Sequence, residues 1–152
     1  MVKKSLRDSA GADDSAGAGR LFRVRPIRQA RRESVPGHGL FQTRREQQWV
    51  MAQLRLLYHW PLDKRRQEQL GSDLDFSKVH YRNETFYELR LDDEHLHQKN
   101  LRLFFWIHEA RRTIWMIHGY WKKTNRLDEA VKTLVVRRIG SLKGGIQDGS
   151  IT

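Results

Sequence analysis

The chain has 152 residues, 38% of them hydrophobic and 31% charged, and its 29 Lys and Arg against 18 Asp and Glu give a formal net charge of +11. That length and apolar content suit one domain with a modest core. No run approaches the roughly 18 consecutive apolar residues of a membrane span, the opening residues carry charges where a secretory signal has its apolar stretch, and the absence of cysteine excludes a disulfide framework, thiolate catalysis and a sulfur-bound zinc site.

The first 20 residues are rich in Ser, Ala, Gly and Asp and hold almost nothing to bury, so they are expected to be a disordered extension. Residues 20–45 form a basic arm with eight arginines and one acid. Within it, residues 21–27 alternate well enough for an edge strand, where Pro26 is tolerated. Thr43 followed by Glu46 has the spacing of a capping box and opens a helix whose apolar stripe is Trp49, Val50, Leu54, Leu56, Leu57 and Trp60. Pro61 interrupts it. A more polar helix is expected over 62–70, stopped by Gly71, and residues 72–83 read as a connection.

Three aromatic and β-branched runs follow, over 86–91, 101–107 and 113–121, separated by short polar segments, and they predict an antiparallel meander. A helix with Leu127, Val131, Leu134, Val135 and Ile139 at helical spacing comes next, capped by Thr124 or Asn125 and ended by Gly140. Residues 141–152 are expected to be a flexible tail.

The charge is uneven along this plan. Residues 46–98 hold seven bases and ten acids, whereas residues 99–138 hold ten bases and three acids. Two basic blocks around an acidic one suit a chain that meets a polyanion, most commonly nucleic acid, although a solvated basic surface gives the same counts.

Side chains alternate across a strand. Arg90 and Arg102 therefore share one sheet face, and if Trp115 and Ile117 point to the helices, His118, Tyr120 and Lys122 join the two arginines. Strands lie about 4.8 Å apart, so two guanidiniums and an imidazole from three strands can surround one phosphate. Taken singly, Arg90 is as well explained by an ion pair with Glu88, and His118 by a structural role. By parity Phe104, Trp106 and Met116 lie on that face too, as a stacking platform for bases or as a second hydrophobic surface. His95 and His97 flank Leu96, but no third metal ligand is placed beside them. Gly119 relieves crowding or permits a bulge. Among phosphate loops, nucleophile elbows and paired-His helix motifs, the sequence has none.

The segments Tyr87-Glu88-Leu89-Arg90, Asn100-Leu101-Arg102-Leu103-Phe104-Phe105 and Ile117-His118-Gly119-Tyr120-Trp121-Lys122-Lys123-Thr124, then a helix with Ala130 and Arg137-Arg138, resemble the RelE/HigB-type toxins of bacterial toxin-antitoxin systems, particularly the phage-derived HigB-like branch. The resemblance covers about residues 40–139, within a domain placed at 21–140, and the basic arm goes beyond the family's compact pattern. It implies a small α+β fold, with helices packed on one face of a mainly antiparallel four-stranded sheet and a C-terminal helix.

It also implies a cytoplasmic mRNA endoribonuclease acting on the translating ribosome, without metal or cofactor, in which a ribose 2′-hydroxyl attacks the adjacent phosphorus. Its partners are then mRNA, the ribosome and a helix-turn-helix antitoxin, with which it forms a hetero-oligomer. Carried over by position, Arg102 binds the scissile phosphate, Arg90 helps to position it, Lys122 or Lys123 is the basic residue after the last strand, and Tyr120 or Trp121 stacks on a base. His118 is the general acid or base, because an imidazole exchanges protons near neutral pH. A non-catalytic RNA-binding or ribosome-binding module on the same scaffold and a phage-derived interaction protein are the alternatives.

Overall fold

A computed structural model describes residues 21–26, 40–123 and 128–151. In chain order the elements are β1 (Arg23–Pro26), α1 (Arg44–Arg55), a 3-10 turn (Leu56–His59), α2 (Lys64–Leu70), β2 (Asp75–Tyr81), β3 (Glu84–Leu91), β4 (Leu101–His108), a 3-10 turn (Glu109–Arg111), β5 (Thr113–Trp121) and α3 (Glu129–Gln147). The expected disorder of residues 1–20, residues 27–39 of the basic arm, and the caps Thr124 and Asn125 lie outside the described residues.

The sheet has five strands in the order β1-β5-β4-β3-β2. Strands β3, β4 and β5 form the expected antiparallel meander, and β1 lies on the edge beside β5 with its Pro26. The expected four-stranded sheet needs correction in two respects. The edge strand β1 runs parallel to β5, which makes the sheet mixed. The expected connection over 72–83 contains β2, antiparallel to β3 along its whole length. Its sequence mixes the strand formers Phe76, Val79 and Tyr81 with Asp75, Ser77, Lys78 and His80, without a clean alternation. Its partner supplies the ladder, and the turn between them is made by Arg82 and Asn83 at φ of 49° and 68°, the paired left-handed conformations of a type I′ hairpin.

The helix signals act locally. Thr43 Oγ1 accepts from Glu46 N at 3.0 Å, as the capping box requires, and Glu46 Oε1 accepts from Gln42 N at 2.9 Å, one residue before the cap. Asp63 caps α2 through Arg66 N at 2.8 Å, and Gly71 ends it in the left-handed conformation.

Helices cover both faces of the sheet, not one. Val50, Leu54, Leu57, Trp60 and Leu62 pack over Leu89, Leu101, Leu103, Phe105 and Met116 on the first face. On the second, Val135, Ile139 and Leu142 of α3 pack over Phe86, Phe104, Trp115 and Ile117. The central strands are apolar on both sides, and each buried Leu or Phe is worth about 1.5–3 kcal/mol, so an open second face would leave several such residues in water. The same burial carries α3 past its expected end. Gly140 faces open space, and the helix continues to Gln147 because Leu142, only 3% exposed, extends the stripe. The expected flexible tail over 141–152 is thus mostly helix. Asp128, not the expected Thr124 or Asn125, caps α3, accepting from Val131 N at 3.2 Å.

Candidate active site

A bulge in β5 builds the site. Phe104 stands opposite His118 but Phe105 opposite Met116, so Ile117 is an extra residue in the ladder. Strict alternation from Trp115 and Ile117, which pack against α3, would turn His118 toward the N-terminal helices. The extra residue turns it back to the face of Phe104. Arg90, Arg102 and Tyr120 then form one row across β3, β4 and β5, with Glu88, Phe104 and His118 in the next. Arg90, Arg102, His118 and Tyr120 therefore share one face, as expected, but by a different route from the parity argument, whose premise that Trp115 and Ile117 lie on the other face does not hold. Trp115 and Ile117 share that face, and Met116 belongs to the opposite core. Gly119 is needed beside the bulge, since a Cβ there would sit 2.7 Å from Leu103 Cδ2 and 3.0 Å from Leu40 Cδ2.

The two arginines differ in what they have left to offer. Arg90 donates to both oxygens of Asp75 at 2.6 and 3.0 Å, to Ser77 Oγ at 3.0 Å and to Glu88 at 3.3 Å. Those bonds hold the Asp75 carboxyl below its usual range. Among the described residues Arg102 has a single ion pair, with Glu88 at 3.7 Å, and its buried Nε has no partner. Its side chain is 14% exposed. Arg102 is the guanidinium available to an anion, and Arg90 is the residue that holds Glu88.

His118 and Tyr120 stack with ring centroids 5.8 Å apart, and Arg138 Nη1 of α3 lies 3.2 Å from His118 Nδ1. Burial, with the Asp128 and Glu88 carboxylates, pushes the Tyr120 phenol up against the opposing pull of Arg102, so it keeps its proton at neutral pH. Arg138 belongs to the Arg137-Arg138 pair of the resemblance, which gives it no role; the signal that could have found one is a charged residue inside the apolar stripe between Val135 and Leu142.

Other expected residues fall elsewhere. Trp121 is on the opposite face, where its indole donates to Leu40 O at 2.9 Å and its ring meets His97, so it does not stack on a base at this site. Trp106 lies four residues from Arg102, about 13 Å along β4, against His108 and beneath Lys143. It belongs to the packing around α3, as does Phe104, which favours the hydrophobic-surface reading of that pair. Lys122 is half-buried just past β5, with its N–H donating to Asn100 O at 2.9 Å, and Lys123 is exposed. His95 stacks on Trp49 and pairs with Asp93. The His97 ring and N–H both bond to Glu46, whose side chain is buried.

A groove of 530 Å³ at the ends of the strands reaches Arg90 and Arg102, but Asp73, Asp75, Asp92 and Asp93 line it as well. Asp75 is already bonded at both oxygens by Arg90, so Asp73, Asp92 and Asp93 are the carboxylates that a phosphodiester reaching Arg102 along this groove would have to pass. On the helical layer the balance reverses. Arg44, Arg45 and Arg55 of α1 are exposed, and Glu46, the helix's one acid, is turned inward. No model of a known family, no curated protein and no solved structure matches this chain. Among the described residues, no helix is long and apolar enough to cross a membrane.

Proposed function

We propose that the protein is the toxin of a type II toxin-antitoxin system, a metal-independent endoribonuclease that inhibits translation by cutting mRNA. The observation that carries the reading is Arg102, a guanidinium held among the described residues by one 3.7 Å ion pair, in register with a protonated phenol and one row from an imidazole. Such a site suits a crowded phosphorane, which needs fixed donors where charge develops. The 2′-oxygen bonds to phosphorus as its proton passes to water. The bond to the 5′-oxygen breaks as that oxygen takes a proton, a role this reading gives to the ammonium of Lys122, just past β5. The products are a 2′,3′-cyclic phosphate and a 5′-hydroxyl. Arg102 neutralises the phosphoryl oxygens, Arg90 holds Glu88 clear of them, His118 acts on the same phosphate, and Tyr120 offers a hydroxyl or a ring to the flanking nucleotide. The partners in this reading are mRNA, the ribosome and a helix-turn-helix antitoxin.

Purified protein added to mRNA in a translation extract should create discrete new 5′ ends, and expression should arrest growth. Arg102→Ala and His118→Ala should abolish both while leaving the fold intact. Continued cleavage by a folded double variant would remove this site from the chemistry. The acid-free outer face of α1 favours a second reading, an RNA-binding module without catalysis. Salt-sensitive binding with unchanged transcripts would mark it, and charge reversal at Arg44 and Arg55 should then weaken binding more than any change at Arg102.

A further inference from the structure

We propose that Arg138, on the helix that closes the second face of the sheet, is a positioning residue that fixes the proton of His118 on Nε2. The inference rests on the proposed reading only for its consequence at the substrate. Arg138 is 6% exposed and sits in a stripe that otherwise reads Val135, Ile139 and Leu142. A guanidinium in such a place is unfavourable unless its donors are used. Nη1 uses them on the two groups the β5 bulge creates: it donates to Ile117 O at 3.1 Å, the carbonyl of the extra residue, and meets His118 Nδ1 at 3.2 Å.

A guanidinium has donors and no acceptor. His118 Nδ1 must therefore accept, and the neutral ring carries its hydrogen on Nε2. The other tautomer would set N–H against N–H, and the imidazolium would set cation against cation. Among the described residues, the other charged or titratable groups near this end of the face are Tyr120 on β5, Arg102 on β4, Glu88 and Arg90 on β3, and Asp128 at the start of α3, whose carboxylate acts on Tyr120; Glu88 is already shared between Arg90 and Arg102. The contact thus changes the role expected for His118. A ring locked with Nδ1 as acceptor meets a phosphate as a hydrogen-bond donor through Nε2, and is neither the base for the 2′-hydroxyl nor a charged acid. It also ties the site to α3, because the residue that sets the tautomer arrives with that helix.

Long-range proton–nitrogen spectra of the full-length protein, with its histidines labelled, read the tautomer directly. In the wild type His118 should show an unprotonated Nδ1 and a protonated Nε2 at pH 7. In Arg138→Met it should become a tautomer mixture that protonates at higher pH, while Arg138→Lys, which keeps a cationic donor, should restore the wild-type pattern. A wild-type ring protonated on Nδ1 overturns the proposal with no variant at all, so a failure of Arg138→Met to fold cannot protect it. A folded Arg138→Met with unchanged tautomer and titration overturns it equally.

In the cleavage assay Arg138→Met should lose activity by on the order of a hundred-fold, and combining it with His118→Ala should cost no more than His118→Ala alone. The expected spectra without any cleavage by the wild type would leave the positioning role standing and remove the ribonuclease reading. Cleavage with the opposite tautomer would do the reverse.

Discussion

Glu46→Ala tests how the N-terminal helical layer is tied to the sheet. The Glu46 carboxylate, 1% exposed, accepts from Gln42 N at 2.9 Å and from His97 N at 2.6 Å, and it also bonds the His97 ring. With Trp49, which stacks on His95, it joins α1 to the loop over residues 92–100, which carries the His97 ring against Trp121. Each hydrogen bond to a charged group is worth about 1.5–3 kcal/mol. The freed donors are near enough to the surface to recover some of that from water, so the expected loss is about 3–5 kcal/mol, the range for removing one member of a buried charged pair. With a urea slope near 2 kcal/mol/M, the midpoint should fall by roughly 1.5–2.5 M at pH 7.

The acid limb gives a second readout. Burial opposes ionisation of Glu46, but the N–H groups of His97 and Gln42 and the His97 ring prevail and hold its pKa below the ordinary value. A carboxyl depressed in the folded state contributes stability above its unfolded pKa, about 4.3, and that contribution is lost as pH falls through the folded value. The wild type should therefore lose stability below about pH 4 more steeply than the variant. A midpoint shift worth less than about 1 kcal/mol, the size of an exposed ion pair, together with parallel acid limbs, would refute the reasoning.

Gly119→Ala should destabilise the fold by about 1–3 kcal/mol, as overpacking does, since the added Cβ meets Leu103 Cδ2 at 2.7 Å; equilibrium unfolding measures it. Leu142→Ala should lose about 2–5 kcal/mol, because its side chain is part of the core with Val135 and Ile139; a frayed tail would show almost no change. Neighbouring aromatics at the end of β5 should separate by function. Tyr120→Phe should lower cleavage with little change in thermal midpoint, whereas Trp121→Phe, which deletes the bond to Leu40 O, should lower stability and leave cleavage near wild type.

Much of the architecture was legible because its causes are local. Thr43 with Glu46, Asp63 and Gly71 satisfy orphan backbone groups within one turn of their helices, and the three runs of the meander pair with their nearest neighbours. The single-face placement of Arg90 and Arg102 was equally readable, because alternation is a property of each strand. What escaped depends on partners distant in sequence. β2 has strand formers in Phe76, Val79 and Tyr81, but its irregular pattern is resolved as a strand by its pairing with β3.

The face presented by His118 is set by an extra residue in the β4–β5 ladder, and one inserted residue inverts every parity argument downstream of it. The opposite placement of Trp121 followed from alternation, yet which face was covered did not, because α3 closes a side of the sheet that only the folded arrangement shows to be apolar. Which arginine remains available was also undecidable from spacing. Arg90 and Arg102 read alike along their strands, and they differ because β2 brings Asp75 to one of them and leaves the other a 3.7 Å pair with Glu88. Residue order determined where each helix begins and which side chains a strand presents together. Tertiary packing decided which of those side chains kept a donor unspent, since competition for hydrogen bonds is settled between neighbours in space.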